Sequence, residues 1–557
     1  MRNTASSDGL TALAVAGTNV VLLGWDMPAS QILAENVLGF SIGRRRSSDE
    51  EVRWMTGMKT FESVEPNPAA GVPVSSHKHP FQTFQWADYS VSPGETYSYR
   101  IVARRAPAFA LTNGPEVTLT VTTEAVNVGE HAIFFNRGAV ASQEYARRFQ
   151  NQRPDVVGQA AFDWLSRGLL EGLESFIEAA GAGSELFGAF FEFKNDRVFK
   201  ALKAAKARGA HIEILYDGDS QSEKNEEALE GSGIKSLTKP RERSGNYAHN
   251  KFLVLRHNGA SVAVWTGSTN LSQNGIFGHS NNAHVVRDGG IADAYVAYWN
   301  ILNADKTRKP TATAVGALGA VPPPSLSNGT LTVFSPRLNL DALDWYAQMA
   351  GGAQRGLFMT FAFGMNERFA KVYDREDDVL RFALMEKKGN GAQFRQQAAE
   401  IDRVRKHRNV TISVGNRVAL NNFDRWLEEI DRITDEQHVL FVHTKYMLVD
   451  PLGTTPVVVV GSANFSAAST DTNDENMLVI RGNEAVADVY LGEFMRLFSH
   501  YAFRESLRFK GSTTPAAALR RKHLAETSAW IDGESASSNY FGAGTDRSLR
   551  RLYFSGQ

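Results

Sequence analysis

Two stretches decide how the chain reads: HNKFLVLRHNGASVAVWTGSTNLSQNGIFGHSNNAHVVR, residues 249–287, and HTKYMLVDPLGTTPVVVVGSANFSAASTDTNDENMLVIR, residues 443–481. Laid over each other they need no gap. His249 and His443, Lys251 and Lys445, Gly267-Ser268 and Gly461-Ser462, Asn270 and Asn464, and Arg287 and Arg481 are each 194 positions apart. A spacing held over 39 residues marks a duplication rather than shared composition. In each copy a strand-like apolar run leads into a Gly-Ser-x-Asn turn, so His-x-Lys and the turn belong at neighbouring strand ends. Two imidazoles, two ammonium groups and two amides are thereby placed where they can converge.

That inventory suits phosphorus chemistry. Breaking a P–O bond takes a nucleophile, a proton for the leaving oxygen, and donors around the equatorial oxygens. Imidazoles serve the first two needs near neutral pH. The lysines and asparagines serve the third, with no metal required.

On these motifs the chain resembles the phospholipase D superfamily, over roughly residues 130–510. The second copy has the family's His-x-Lys-x4-Asp pattern in full, with His443, Lys445 and Asp450. The first departs from it, with Arg256 where Asp450 stands and Asn281 where Glu475 stands. The resemblance implies that His249 attacks phosphorus to give a phosphohistidine. His443 then protonates the leaving group and afterwards activates water or an alcohol. Lys251, Lys445, Asn270 and Asn464 would hold the phosphate oxygens. Ser268 and Ser462 would shape the turns and bind substrate, and Glu475 would support His249 from the opposite half. No cofactor and no metal are implied. Asn281 is expected to accept a hydrogen bond from His443 without bringing charge, and Arg256 to be an exposed strand end rather than a charge aimed at substrate.

The 557 residues suffice for two to four domains with ample core. Lys and Arg total 60 against 61 Asp and Glu, so no global basic field draws nucleic acid. The absence of cysteine excludes disulfides, thiolate metal sites and cysteine nucleophiles. MRNTASSDGL lacks the basic start and apolar core of a signal peptide, and no apolar run approaches 18 residues. The expectation is a cytoplasmic monomer with no transmembrane segment, with non-classical export left open.

Outward from the motifs, residues 1–126 read as a small all-β sandwich. Val21, Leu23 and Trp25 alternate, as do Leu38, Phe40 and Ile42, then Tyr97, Tyr99 and Ile101, and lastly Val117, Leu119 and Val121. Trp25, and Tyr97 after Ser-Pro-Gly-Glu-Thr, resemble the core tryptophan and tyrosine corner of a fibronectin type III domain. Such a module would bind an unknown partner or cover one side of the body. Arg44-Arg45-Arg46 reads as a solvated strand end.

Residues 127–310 and 329–510 read as two pseudo-symmetric α/β lobes joined by a linker at 311–328. Residues 164–177 have helical spacing; 196–207, 292–304, 341–349 and 378–388 are expected helices; 189–193, 211–216, 356–363 and 410–414 are expected strands. Residues 217–248 read as a polar connection, 402–408 as an exposed charged helix face, and 511–557 as a tail docked on the body.

The function expected on this resemblance is phosphodiester hydrolysis, or transfer of a phosphatidyl group, with phospholipid favoured over nucleic acid. Long two-copy chains resemble the lipases and synthases more than the short nucleases that form their site by dimerisation. A nuclease, or a degenerate binding or scaffold protein, is the alternative.

Overall fold

The computed structural model describes the chain except for residues 70–71, 139–141, 324–325, 388–393, 416–441, 509–522 and 534–537. Strands β1 (Arg2–Ser7), β2 (Leu10–Ala16), β3 (Val21–Asp26), β4 (Val37–Arg46), β5 (Arg53–Trp54), β6 (Gln85–Asp88), β7 (Thr96–Arg105) and β8 (Thr112–Thr122) form a small β region. It has two four-stranded sheets, in the orders β1-β2-β3-β6 and β8-β7-β4-β5. Period-two patterning decides which face is buried: Tyr97, Tyr99 and Ile101 point into the core beside Trp25 and Phe40, while the residues between them are partly exposed. Arg44 pairs with Asp88 and Arg46 with Glu95, and Arg45 between them is exposed.

The body contains two seven-stranded mixed sheets. The first lobe supplies β9 (His131–Phe135), β10 (Ser184–Phe190), β11 (His211–Asp217), β12 (Thr238–Arg241), β13 (Lys251–His257), β14 (Ala260–Gly267) and β15 (Asn282–Val286). The second supplies β16 (Gly329–Ser335), β17 (Gly356–Phe361), β18 (Leu380–Met385), β19 (Val410–Val414), β20 (Tyr446–Val449), β21 (Val457–Gly461) and β22 (Glu475–Arg481). Their orders, β9-β15-β14-β13-β10-β11-β12 and β16-β22-β21-β20-β17-β18-β19, are the same arrangement twice. The uniform spacing of the motifs does not extend upstream. Phe187 pairs with Val254 and Phe358 with Leu448, so partners of strands 194 apart are themselves 171 apart. One core cluster includes Val264 of the first sheet, Val458 and Val460 of the second, and Leu13 and Leu22 of the β region.

Five expectations are corrected. Residues 380–385 are a strand, not the helix expected over 378–388; Lys388 lies outside the described residues. β18 pairs in parallel with both β17 and β19 and is buried along its whole length. A strand covered on both faces loses its alternation and reads like a buried helix. The helix of this region comes earlier, at Glu367–Tyr373, where the Asn366 side chain accepts from the Arg368 N–H. Residues 164–177 are split between helices Gln159–Ser166 and Leu169–Glu178, because Arg167 and Gly168 both take left-handed backbone. The strand expected over 189–193 runs from 184 to 190. The linker contains a helix, Arg308–Leu318, and the polar connection contains helix Ser222–Leu229 and edge strand β12. Pro324, in the expected linker, lies outside the described residues.

The charged run 402–408 is neutralised within the fold: Arg403 and His407 meet Asp374, Arg405 meets Glu505 and Arg408 meets Asp378. Gly511 to Pro515, where the tail was expected to loosen, lies outside the described residues. Beyond it, Trp530 enters the β-region core, donating its indole N–H to the Val37 carbonyl at 2.9 Å with its ring 5.4 Å from Phe84. The last helix, α1 (Asp546–Ser555), lies against β3, where a Cβ on Gly24 would meet the Phe554 carbonyl oxygen at 1.9 Å. The tail is therefore part of the β-region core as well as a cover for the second lobe. Trp530→Ala is expected to destabilise the β region by about 3–5 kcal/mol, the range for emptying a buried tryptophan site. Denaturant unfolding would measure this, and a loss below about 1 kcal/mol would contradict the packing role.

Candidate active site

His249 and Lys251 stand at the start of β13, His443 and Lys445 at the start of β20, and all four are buried. The Gly-Ser turns follow β14 and β21. β15 and β22 then return along these strands, so residues just before or at their starts come back to the seam between lobes. The two halves close on each other: the His443 N–H donates to the Ser280 carbonyl at 3.3 Å, and the Asp474 N–H donates to the Tyr247 carbonyl at 3.0 Å.

The histidines are held crosswise. Nδ1 of His249 lies 2.9 Å from both carboxylate oxygens of Glu475, and Nδ1 of His443 lies 2.8 Å from Oδ1 of Asn281. Each holding group is held in turn by the serine of its own lobe. Ser462 Oγ donates to Glu475 at 2.7 Å, and Ser268 Oγ lies 2.8 Å from Asn281 Oδ1. The amide of Asn281 is oriented by its other end, since Nδ2 donates to the Gly275 carbonyl at 2.7 Å. Ser268 and Ser462 were expected to shape the turns and bind substrate. Both are fully buried, and their hydroxyls are spent on the groups that orient the histidines.

The lysines each donate to the carbonyl of their own motif histidine, Lys251 to His249 and Lys445 to His443. Lys251 Nζ also stands 5.0 Å from the centre of the Phe191 ring, which itself lies 4.8 Å from the His249 ring. The Oδ1 atoms of both asparagines are buried without a partner among the described residues, and Asn270 Nδ2 donates to Glu192 at 2.7 Å.

Sequence reading missed a second symmetric pair. Asp217, the last residue of β11, accepts the N–H of Ala248 at 2.9 Å; Glu386, just after β18, accepts the N–H of Val442 at 2.9 Å. Each carboxylate thus fixes the backbone immediately before a motif histidine. The pair is 169 positions apart rather than 194, so an ungapped overlay of the motifs does not reveal it. Also unforeseen were Glu192, His279 and the buried Arg241–Asp474 ion pair, whose N–O distance is 3.0 Å and which joins the lobes behind the site.

The residues seven positions after the two motif histidines, Asp450 and Arg256, serve different ends. Asp450 sits at the far end of β20 and accepts the backbone N–H groups of Gln354, Arg355 and Gly356, so it caps the turn into β17. Arg256 is near the far end of β13 and pairs with Glu185 directly across the strands. Seven positions from His249, it acts as a surface ion pair rather than a substrate contact.

Burial dominates the electrostatics. It pulls Lys251 down to about 7 against the opposing pull of Glu475, Glu192 and Asp217. It pulls Lys445 well below the usual lysine range, with the Lys251 charge adding to the effect. His249 is lowered by burial and partly restored by Glu475. His443 falls well below the ordinary imidazole range through burial, then Lys445, His279, Lys251 and His249, with no carboxylate among its main influences. Neutral rings donating Nδ1–H to Glu475 and Asn281 present Nε2 lone pairs to the seam. Four desolvated basic groups facing one another favour an entering anion, which reverses the cost of charging them.

Asn281→Asp is expected to raise the His443 pKa by about 1–3 units, the effect of an opposite charge at contact distance. His443 would then stay protonated to higher pH, moving the alkaline limb of the pH–rate profile upward. The added carboxylate oxygen would face the Gly275 carbonyl and cost stability, so the position of the limb is the readout rather than the peak rate. An unmoved limb would contradict the assignment.

Residues 175–302 and 384–498 match a family model described as "Cardiolipin synthase, PLD-like domain". These two segments are similar to that domain. Both motif copies fall within its matched residues, as do Asp217, Glu192 and His279. No curated protein sequence matches the chain. Among solved structures, the chain is similar to polyphosphate kinase from Porphyromonas gingivalis at 12% identity and a TM-score of 0.36, covering 57% of this chain and 43% of that one. The chain thus spans less than half the length of that kinase. It is also similar to phosphatidylserine synthase from Haemophilus influenzae at 10% identity and a TM-score of 0.39, covering 70% and 91% of the two chains. A third likeness is to Nuc, a phospholipase D family member from Salmonella typhimurium, at 16% identity and a TM-score of 0.23, covering 31% and 94%. Among the described residues, no helix of the chain is long and apolar enough to cross a membrane.

Proposed function

We propose that this chain is a phosphodiesterase of the phospholipase D type, hydrolysing or transferring a phosphatidyl group through a phosphohistidine on His249. The observation that carries the reading is the crossed pair at the seam, His249 on Glu475 and His443 on Asn281, with Lys251 and Lys445 beside them. Glu475 supplies the charge that a cationic phosphohistidine needs, which makes His249 the nucleophile. His443, without such a charge, is the proton carrier. Asn270 and Asn464 are assigned to the phosphate oxygens. The lipid preference draws on the description of the matching domain and on Phe191 and Tyr247 beside His249.

A nuclease is the second reading. It is favoured by exposed Arg243 and the half-exposed Tyr247 in the segment leading into His249, a combination suited to a phosphate backbone with stacked bases. The β region at residues 1–126 is assigned as a fibronectin type III-like module, on its strand orders and on the Ser92 N–H donated to the Tyr97 hydroxyl at 2.9 Å.

The test is head-group release from phospholipid vesicles with EDTA present, run beside a single-stranded DNA digest. Release of head group supports the lipid reading, and cutting of DNA alone moves the nuclease reading to first. Silence in both, with no phosphohistidine trapped, would leave a binding or scaffold protein.

A further inference from the structure

His279 stands in the first lobe where Asn473 stands in the second, again 194 positions apart. Asn473 is engaged on both sides: its Nδ2 lies 3.3 Å from Glu475, and its Oδ1 accepts from Asn246 at 2.7 Å. His279 is not engaged. It is 6% exposed, and among the described residues neither ring nitrogen has a hydrogen-bond partner. Its backbone is nevertheless pinned. The N–H donates to the Asn274 carbonyl at 2.8 Å, closing the π turn Asn274–Gly278, and the carbonyl accepts from Asn136 Nδ2 at 2.7 Å. A rigidly placed, buried imidazole with both nitrogens idle costs stability that a phenylalanine there would not.

The ring faces the site. It lies 5.5 Å from the His443 ring, tilted by 53°. The titratable groups acting on it are Glu192, from the end of β10, and Lys445 and His443, from the start of β20. Burial holds its pKa down to about 4, with Glu192 opposing and Lys445 adding to the fall. A neutral imidazole has one N–H to give, and an anion arriving between these groups supplies the missing acceptor.

We propose that His279 is a third imidazole of the active site, donating its ring N–H to a non-bridging oxygen of the phosphoryl group seated between His249 and His443. The proposal rests on reading this cleft as a phosphate site. It adds a contact beyond the paired His, Lys and Asn of the two copies, at a position where the second lobe has Asn473.

The full chain with 15N-labelled histidine, titrated with inorganic phosphate, provides the test. The His279→Phe variant identifies the His279 ring signals by their loss. Phosphate is expected to move those signals together with those of His249 and His443. His279→Phe is expected to bind phosphate about tenfold or more weakly, the range for losing a hydrogen bond to a charged group. Its thermal midpoint without phosphate should equal or exceed that of the parent chain. If phosphate moves the His249 and His443 signals but not those of His279, and affinity is unchanged, the proposal fails while the phosphate site stands. If phosphate moves none of the three, both fail. A lower midpoint with unaltered affinity would make His279 structural and also overturn the proposal. Should His279→Phe not fold, His279→Asn, bearing the residue of position 473, takes its place with the same expected loss of affinity.

Discussion

Replacing His249 with alanine is expected to lower phosphodiester turnover by about four orders of magnitude or more, the scale seen when a covalent nucleophile is removed. The reasoning starts from the ring's surroundings. Glu475 fixes Nδ1 from the opposite lobe, so Nε2 is the nitrogen presented to phosphorus. Attack by Nε2 forms an N–P bond, the P–O bond to the leaving group breaks, and the ring becomes cationic. Glu475, fully buried and 2.9 Å away, stabilises that cation where water cannot. Alanine leaves the phosphate-holding groups in place, so substrate affinity should fall far less than turnover. The measurement is steady-state cleavage of bis(p-nitrophenyl) phosphate beside equilibrium binding of inorganic phosphate. A variant retaining a tenth of the parent rate would end the case for His249 as nucleophile.

His443→Asn is expected to separate the two halves of the reaction. On the proposed mechanism, His443 gives a proton to the leaving oxygen in the first half and takes one from the attacking water in the second. General acid–base groups contribute about 10²–10⁴-fold, so turnover should fall by about that amount. The fall should be uneven. p-Nitrophenolate leaves without a proton, so His249 would still be phosphorylated, while release of the N–P intermediate would lack its base. The result is a burst of about one product per chain followed by a near halt, with an acid-labile p-nitrophenyl phosphoryl group on His249. A uniform slowing with no burst would place the proton carrier elsewhere, and Glu192 would be the first group to examine, since it is buried beside Asn270.

The asymmetry of the two arms gives these experiments their direction. Ser462, Glu475 and His249 form one chain of contacts, and Ser268, Asn281 and His443 form its copy, with an amide in place of the carboxylate. A duplicated site with identical arms would leave the roles of its histidines undecided. Here one arm supports a cation and the other only orients a ring.

Much of this was legible without coordinates. The constant spacing of 194 exposed the duplication, and with it His249, His443, Lys251, Lys445, Asn270, Asn464, Ser268 and Ser462, while Glu475 came only from the resemblance. Alternation predicted the β region, because a strand with one face in water must carry its apolar residues at every second position. β18 was misread because both its faces are covered, which erases that alternation. Asp217 and Glu386 escaped because the connections between strands differ in length in the two lobes, so their spacing is 169. The pairing of Arg256 with Glu185, the capping by Asp450, and the place of Trp530 in a core more than 400 residues upstream are likewise matters of packing. The sequence by itself determined which groups recur and which faces are apolar, since both are local periodicities. The hold of Glu475 on His249 and of Asn281 on His443 was expected from the resemblance; only the tertiary structure decided that Arg241 meets Asp474 across the lobes and that His279 faces His443. Those contacts depend on how two sheets close against each other, a distance that no period along the chain encodes.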